Sequence, residues 1–433
     1  MEIKDLYQIF LAHPVVTTDS RECPEGSIFF ALKGDSFDGN KFALKALEAG
    51  CAYAVVDEAE YVVEGDERLI LVDDCLKTLQ LLANYHRRRL GIPIIGITGT
   101  NGKTTTKELI STVLNQKYNV WYTQGNFNNH IGVPKTLLCL KPEHEMAVVE
   151  MGASHPGEID TLVHIAEPDY GIITNVGKAH LEGFGSFEGV IHTKGELYDF
   201  LRSRLNSKVF LCADNPYLKA IIGKLPVVKY GTWESDDNAV VGEVIECAPY
   251  LTFRWKKKAG DWHRVETHLI GSYNLDNMLA AAAIGLYFGV TPEQVDKALK
   301  GYIPQNNRSQ LEVTPHNHLI IDAYNANPTS MMAALKNFRE MKVDHKFVLL
   351  GDMRELGESS MDEHQKVVDY LQNSNFEQVW LIGSEFGKIK HDFRHFMQVE
   401  DAIAALDAEK PEGYYILVKG SNSIHLSKVL GHI

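Results

Sequence analysis

Apolar residues fall into two rhythms that alternate along most of this 433-residue chain. Short unbroken apolar runs at Ile94–Ile97, Ala147–Glu150, Gly171–Asn175 and Val209–Cys212 have the length and composition of strands buried on both faces. Between them lie longer stretches whose apolar positions recur with the period of an amphipathic helix. Such alternation predicts right-handed βαβ units on a parallel sheet. Before residue 88 the pattern is mixed, with strands at Ser27–Leu32, Tyr53–Val56 and Leu69–Val72 and a helix over Leu76–Leu90. Gly91–Pro93 then reads as a linker. Between 238 and 270 the rhythm changes to strict alternation: Val240–Glu246, Leu251–Lys256 and His263–Leu269 read as antiparallel strands, with Lys258–Asp261 as a hairpin turn. The alanine-rich Asn274–Phe288 predicts a helix, and Thr291 followed by Pro292 caps another. From Gln305 the first rhythm returns. Leu319–Asp322, Phe347–Gly351, Val379–Gly383 and Tyr415–Val418 predict four strands, each followed by a helix, in a doubly wound, Rossmann-like unit. The expected architecture is α/β in three domains. These are a small mixed one over 1–88, a central parallel-sheet domain with an antiparallel extension over 89–304, and a C-terminal one over 305–433.

The most chemically specific segment is Gly96–Thr106, which joins the Ile94–Ile97 strand to the helical Lys107–Leu114. Glycines between a strand and a helix let backbone N–H groups point at phosphate oxygens, and the helix N-terminus adds its positive dipole end. Gly99, Thr100, Asn101, Gly102 and Thr105 would cradle the phosphates of a nucleoside triphosphate. Lys103 would reach the β/γ-phosphates, and the Thr104 hydroxyl would ligate Mg²⁺. The strict phosphate-loop pattern has four residues between its glycines, whereas five separate Gly96 from Gly102, and Ile97 stands where that pattern has glycine. The competing reading is an ordinary strand-to-helix turn.

Charge narrows the partners. With 43 basic against 57 acidic residues the net charge is −14, which argues against a nucleic-acid or membrane-surface partner. Local loops and Mg²⁺ still bind phosphate inside an acidic protein. A hydrophobic content of 45% excludes a disordered chain. The six cysteines are scattered with no Cys-x-x-Cys pair, which suits reduced thiols better than a disulfide framework or a zinc site. Neither a signal peptide nor an apolar run of membrane-spanning length is expected. The chain reads as soluble, cytoplasmic and monomeric.

Four further clusters carry polar residues at predicted strand ends or on a following helix. Glu150 closes an apolar strand beside the phosphate loop, where it would hold Mg²⁺ directly or through water; alone it would be a solvated strand-end carboxylate. His180, in the glycine-rich segment after the Gly171–Asn175 strand, reads equally as a surface residue and as a ligand. Lys194, on the next helix, reads as a solvated helical lysine. Asp322–Thr329 ends a strand in a cluster of amide and carboxylate side chains, poor core material and suited to a ligand site, with Pro328 opening a helix.

Taken together, these segments resemble the Mur ligases of peptidoglycan synthesis over essentially the whole chain. The resemblance lies in Thr18–Arg21, Phe30–Gly39, Gly99–Thr105, Gly125–Pro134, Glu150–Gly152 and Ala179–Ser186. Tyr324–Met331 and Leu350–Gly357 are similar to the branch that adds D-alanyl-D-alanine. The resemblance implies an ATP-dependent ligase that joins D-Ala-D-Ala to UDP-N-acetylmuramoyl-tripeptide (UDP-MurNAc-tripeptide) through an acyl phosphate, using ATP and two Mg²⁺ ions. It implies uridine-nucleotide binding by the first domain through Ser20, Arg21, Lys33 and Asn40, and ATP binding by the second. The third domain would receive the incoming dipeptide near Tyr324, Asn325 and Asn327, with Asn128 and Asn129 also at the substrate. Lys194 would be carbamylated and would hold the second Mg²⁺ with His180. Arg308 would meet the γ-phosphate, Asn274 and Asn277 the adenine, and Asp322 the ribose. Two positions depart from the family: Tyr273 stands where His is frequent, and Asn422 where a basic residue is frequent. A sister Mur ligase adding diaminopimelate or lysine, a folylpolyglutamate synthetase, a nucleotide-dependent switch and an inactive scaffold are the competing readings.

Overall fold

The computed structural model describes residues 1–305 and 308–433. Its organisation follows three sheets. The first is parallel and four-stranded, in the order Val16–Thr17, Ile28–Phe30, Tyr53–Val56, Leu69–Leu71. The helix Cys75–Leu90 closes this unit. Asp74 caps its start by accepting from the Lys77 N–H, and Gly91 ends it in the left-handed conformation at φ +64°.

The second sheet has nine strands. From one edge they run His263–Ile270, Tyr250–Lys257, Asn238–Cys247, Val227–Gly231, Lys208–Cys212, Tyr170–Ile173, Ile94–Thr98, Met146–Glu150 and Val120–Tyr122. The first two are antiparallel and the rest parallel, as the change of rhythm near residue 238 predicts. Two strands went unread in the sequence. Val120–Tyr122 is a three-residue edge strand, and Val227–Gly231 is only partly buried, so neither shows a continuous apolar run. The decisive strand is Ile94–Thr98, because the chain order reverses around it. It pairs with Met146–Glu150 on one side and Tyr170–Ile173 on the other, and a crevice opens at such a reversal beyond the strands' C-terminal ends.

The third sheet has six strands rather than four. Its order is Gln310–Val313, His318–Asp322, Tyr415–Lys419, Lys346–Gly351, Gln378–Ile382, Arg394–Phe396, parallel except for the first. The strand Gln378–Ile382 is followed by a single 3₁₀ turn and the edge strand Arg394–Phe396, so the expected helix comes later, at Val399–Glu409. Among the described residues no helix is long and apolar enough to cross a membrane. All six cysteines are free thiols.

One packing contact fixes the helix that carries the phosphate loop. That helix starts at Lys103, four residues earlier than the apolar rhythm indicates, because polar Lys103–Thr106 form its first turn. It lies against the almost entirely buried Leu275–Tyr287, whose Gly285 allows close approach: a Cβ there would stand 2.4 Å from Val113 Cγ1. Helix propensity favours alanine over glycine by about 1 kcal/mol, whereas overpacking costs about 1–3 kcal/mol and the β-branched Val113 has little rotamer freedom to yield. We expect Gly285→Ala to lower stability by about 1 kcal/mol or more, read as a fall in the denaturant midpoint. A rise would show that the helices part without cost.

Candidate active site between the central and C-terminal sheets

The loop after Ile94–Thr98 is shaped by steric contact before any ligand is considered. Gly99 sits at φ +140°, and a Cβ there would lie 2.0 Å from the Thr174 hydroxyl. That hydroxyl donates to the Asn101 carbonyl at 2.6 Å, and the Thr100 and Asn101 N–H groups donate to the Asn175 carbonyl and side chain at 2.9 and 3.0 Å. Gly102, at φ +76°, precedes the first helical residue. The Lys103 ammonium donates to the carbonyls of Gly99 and Thr100 at 2.7 and 3.1 Å. Burial pushes its pKa down to about 8, with Glu150 opposing the shift and Arg308 adding to it.

Beside the loop, Glu150 is buried at 1% exposure. Its Oε1 accepts from the Thr104 hydroxyl at 3.2 Å and the Asn128 amide at 2.9 Å. Its Oε2 has no hydrogen-bond partner, and Lys107 Nζ stands off at 3.7 Å. A buried carboxylate oxygen left without a donor, next to a threonine hydroxyl, suits an oxygen-loving divalent cation. Lys107 escaped the sequence reading, since a lysine in a helix's second turn gives no local sign that it is 1% exposed. Asn129 serves the backbone: its Oδ1 accepts from the N–H groups of Ile131 and Gly132.

Lys194 is not solvated. It lies within the helix Phe187–Arg202 at 2% exposure, with Nζ donating to the Ala153 carbonyl at 3.2 Å and lying 5.1 Å from the Phe184 ring centre. The carboxylates that influence it are engaged elsewhere. Glu158 accepts from the Ser154 and His155 N–H groups, and Glu196 from those of Gly157 and Asp160. Burial, reinforced by Lys103, therefore holds the Lys194 pKa well below the usual lysine range, towards a neutral amine. His180 packs edge-to-face on the same Phe184, with ring centres 6.2 Å apart, and touches Glu355. Burial lowers its pKa against the pull of Glu355.

The C-terminal sheet supplies the opposite wall. Asp322 and Lys419 are register partners on adjacent strands, and their side chains form an ion pair with the lysine buried. The Arg308 guanidinium lies over the Tyr324 ring at 3.9 Å. The Asn325 side chain accepts from the Ala326 N–H. Asn327 caps the helix Pro328–Glu340 in a capping box with Ser330. Its amide also donates to Asn101 Oδ1 at 2.7 Å, joining the phosphate loop to the C-terminal sheet. At the cavity floor, Thr106 donates to Asn277, Asn277 to Asn274, and Asn274 to the Ile270 carbonyl. The Tyr273 hydroxyl bonds the Ser309 hydroxyl at 3.0 Å.

A cavity of about 950 Å³ joins the loop with Asn128, Asn129, Glu150, His180, Asn274, Asn277, Arg308, Asp322, Tyr324, Asn325 and Asn327. Lys194 stands behind its wall at Ala153. The four N-terminal candidates do not reach this cavity. Arg21 pairs with Asp19, Lys33 with Asp57 and Glu58, and buried Asn40 bonds Asp38 and Asp57.

Three family models tile the chain: "Mur ligase family, catalytic domain" over 14–87, "Mur ligase middle domain" over 97–285 and "Mur ligase, glutamate ligase domain" over 307–422. The Bacillus subtilis UDP-N-acetylmuramoyl-tripeptide–D-alanyl-D-alanine ligase is 35% identical, covering 96% of this chain and 92% of that protein. The chain belongs to the Mur ligase family. The Escherichia coli ligase of the same name is 32% identical over 96% of this chain and 92% of its own. Among solved structures, MurF from Acinetobacter baumannii superposes with a TM-score of 0.87 at 27% identity, covering 98% of this chain and 97% of that one. MurF from Thermotoga maritima in complex with ADP gives 0.86 at 26% identity, with the same coverages.

Within this Mur ligase, Asn327 has two separable tasks, the helix cap and the amide pair with Asn101. Asn327→Ala removes both and should lower the stability of the C-terminal unit by about 1 kcal/mol in a calorimetric melt. Asn327→Asp keeps a capping oxygen but has no N–H to donate, and should stay within about 0.5 kcal/mol of the parent. Equal losses would mean that the amide pair, not the cap, carries the contribution.

Proposed function

We propose that this chain is an ATP-dependent ligase joining D-alanyl-D-alanine to UDP-MurNAc-tripeptide, giving the pentapeptide, ADP and phosphate. The observation that carries this reading is the convergence of two walls on one cavity, in a chain matching ligases named for this reaction along nearly its full length. One wall is a phosphate loop; the other is the amide-rich end of the His318–Asp322 strand. A nucleotide switch leaves that second wall without a task, and an inactive scaffold leaves a fully equipped loop without one.

A carboxylate is a poor electrophile, so ATP is spent converting the tripeptide's terminal carboxylate to an acyl phosphate. The backbone N–H groups of the loop and the Lys103 ammonium would bind the β- and γ-phosphates. Arg308, held by Tyr324, would face the γ-phosphate from the other side. Charge would thus be met from both bodies only when they are together. The amine of D-Ala-D-Ala would then attack the acyl carbon, with the Tyr324–Asn327 segment placing it, and phosphate would leave. Thr104 and Glu150 would hold one Mg²⁺, and His180 with a modified Lys194 a second. Bound Mg²⁺ supplies charge neutralisation and fixes phosphate orientation. Asn274, Asn277 and Asp322 would face the nucleoside end. Residues 1–88 would serve the uridine nucleotide, 89–304 ATP and 305–433 the dipeptide. The nucleotide substrates and free thiols support a cytoplasmic site of action.

The burial of Lys194 supports its modification to a carbamate. Only the neutral amine attacks CO₂: its lone pair forms the N–C bond, a C=O electron pair moves to oxygen, and the amine proton passes to water. The product is an anionic oxygen donor where an ammonium would repel a cation.

Mass spectrometry of a reaction with UDP-MurNAc-tripeptide, ATP and D-Ala-D-Ala should find the pentapeptide. Product with free lysine, diaminopimelate or glutamate as the sole amine would assign the chain to a sister reaction instead. Lys103→Ala should reduce kcat on the order of 10²-fold or more; near-normal turnover would remove the loop from the chemistry. Lys194→Ala should lose activity on a similar scale and regain part of it with short carboxylic acids. ¹³C-bicarbonate should give a carbamate carbon signal that this variant lacks, and its absence from the parent protein would refute the modification.

A further inference from the structure

Tyr273 stands where the family frequently has His, and it has no task in the chemistry above. It lies where the central sheet meets the C-terminal one. The strand His263–Ile270 ends, and Gly271 follows at φ +99°. A Cβ on Gly271 would stand 2.3 Å from the Tyr273 ring, so the glycine lets the ring fold back over its own turn. The Ser272 N–H donates to Asn337 Oδ1 at 3.2 Å, which fastens that turn to the helix Pro328–Glu340. Burial, with the charge of Asp322 adding to it, raises the Tyr273 pKa, so the phenol is a neutral hydroxyl.

Ser309, which that hydroxyl meets, is buried and left-handed, at φ +50°, a conformation uncommon for a residue with a side chain. Its carbonyl accepts from the Ile270 N–H at 3.3 Å, and its hydroxyl bonds the Tyr273 hydroxyl at 3.0 Å. Arg308 directly precedes this turn, and the strand Gln310–Val313 directly follows it. The Arg308 guanidinium is gripped at its head by the Tyr324 ring, 3.9 Å away. Its charge reaches Lys103, whose pKa burial lowers and Arg308 lowers further, so the guanidinium already faces the phosphate loop. The root of the same side chain is set by the Ser309 turn. Released from φ +50°, Ser309 would relax to a negative φ, the peptide joining it to Arg308 would rotate, and the guanidinium would leave the ring.

We infer that Tyr273 is a positioning residue, whose hydroxyl holds Ser309 in its left-handed turn and so aims Arg308 at the phosphate loop. The hold on Ser309 stands on the contacts alone; what Arg308 does once aimed rests on the γ-phosphate reading under the proposed function.

The test is arginine side-chain NMR of the full chain, with the Arg308 Nε–H signal assigned by its loss in Arg308→Lys. In the parent, the Tyr324 ring current should shift that signal upfield. Tyr273→Phe removes one oxygen and keeps the ring, and should return the signal to the ordinary arginine range. Ser309→Ala should do the same. Ser309→Gly also lacks the hydroxyl but takes φ +50° without strain, and should keep more of the shift. Alongside, kcat should fall about 10-fold in Tyr273→Phe and Ser309→Ala, with KM for ATP within about twofold of the parent. A purely structural role would lower the melting temperature and leave the Arg308 signal in place, which overturns the inference. So does a Ser309→Gly variant no better than Ala. A rise in KM for ATP at unchanged kcat overturns it too, because the phenol would then bind nucleotide rather than aim Arg308. The γ-phosphate reading fails separately: Arg308→Lys would keep the parent turnover while Tyr273→Phe still displaces the Arg308 signal.

Discussion

The site depends on three parallel strands ending at one level. Ile97 pairs with Glu150, and Thr98 with Ile173, so the phosphate loop, the buried carboxylate and the Thr174–Asn175 corner leave the sheet side by side. Parallel pairing sets this without reference to a ligand. Once the strands are in register, the Thr174 hydroxyl lies where a Gly99 side chain would be, and the Asn175 side chain and carbonyl fasten the loop from behind. The glycine therefore answers a steric demand of the sheet as much as any need of a phosphate. Loop and sheet are one device whose shape is set by protein–protein contacts, which is what electrostatic preorganisation requires.

The contact between the central and C-terminal bodies is built on a different principle. Near the cavity it is polar: the Asn101–Asn327 amides, Lys178 with Glu363, and His180 with Glu355. Each of these groups exchanges a protein partner for water at small cost when the bodies part. Further from the cavity, Ile270 is buried in the core of the C-terminal unit, its N–H donates to the Ser309 carbonyl, and Tyr273 bonds the Ser309 hydroxyl. Apolar anchorage at one end and exchangeable polar contacts at the other are the arrangement of a hinge beside a mouth. In the proposed reaction, closure at this mouth would exclude water from the acyl phosphate, which would otherwise hydrolyse.

Most of the architecture was legible because long buried strands and capped helices leave periodic traces. The strands Met146–Glu150 and Lys346–Gly351, the ribbon after residue 238, the Thr291 cap and the helix start at Pro328 all carry local signals that tertiary structure does not override. Short edge strands such as Val120–Tyr122 and Arg394–Phe396 carry none, because partial burial erases the apolar run. At the site, the loop and the polar Asp322–Thr329 strand end were readable from residue type and position. Lys107, Glu355 and the buried state of Lys194 were not. Each depends on what another segment places against it: Glu150 for Lys107, His180 for Glu355, and the Ala153 and Phe184 enclosure for Lys194.

Net charge misleads about such a site. A chain at −14 keeps Lys107, Lys194 and Lys419 almost wholly buried around one cavity. Lys419 is balanced directly by Asp322, and Lys107 at longer range by Glu150. Lys194 has only a carbonyl and an aromatic face, since Glu158 and Glu196 are held by backbone N–H groups. Desolvating an ammonium without a counter-ion is costly, so this arrangement favours loss of the proton over retention of the charge. The same enclosure that disfavours Lys194 as a cation supports the proposed carbamylation. Its lowered pKa is thus a product of packing: the helix Phe187–Arg202 buries the amine, and the capping needs of the neighbouring helix Glu158–Ala166 occupy Glu196, a carboxylate that would otherwise help keep it charged.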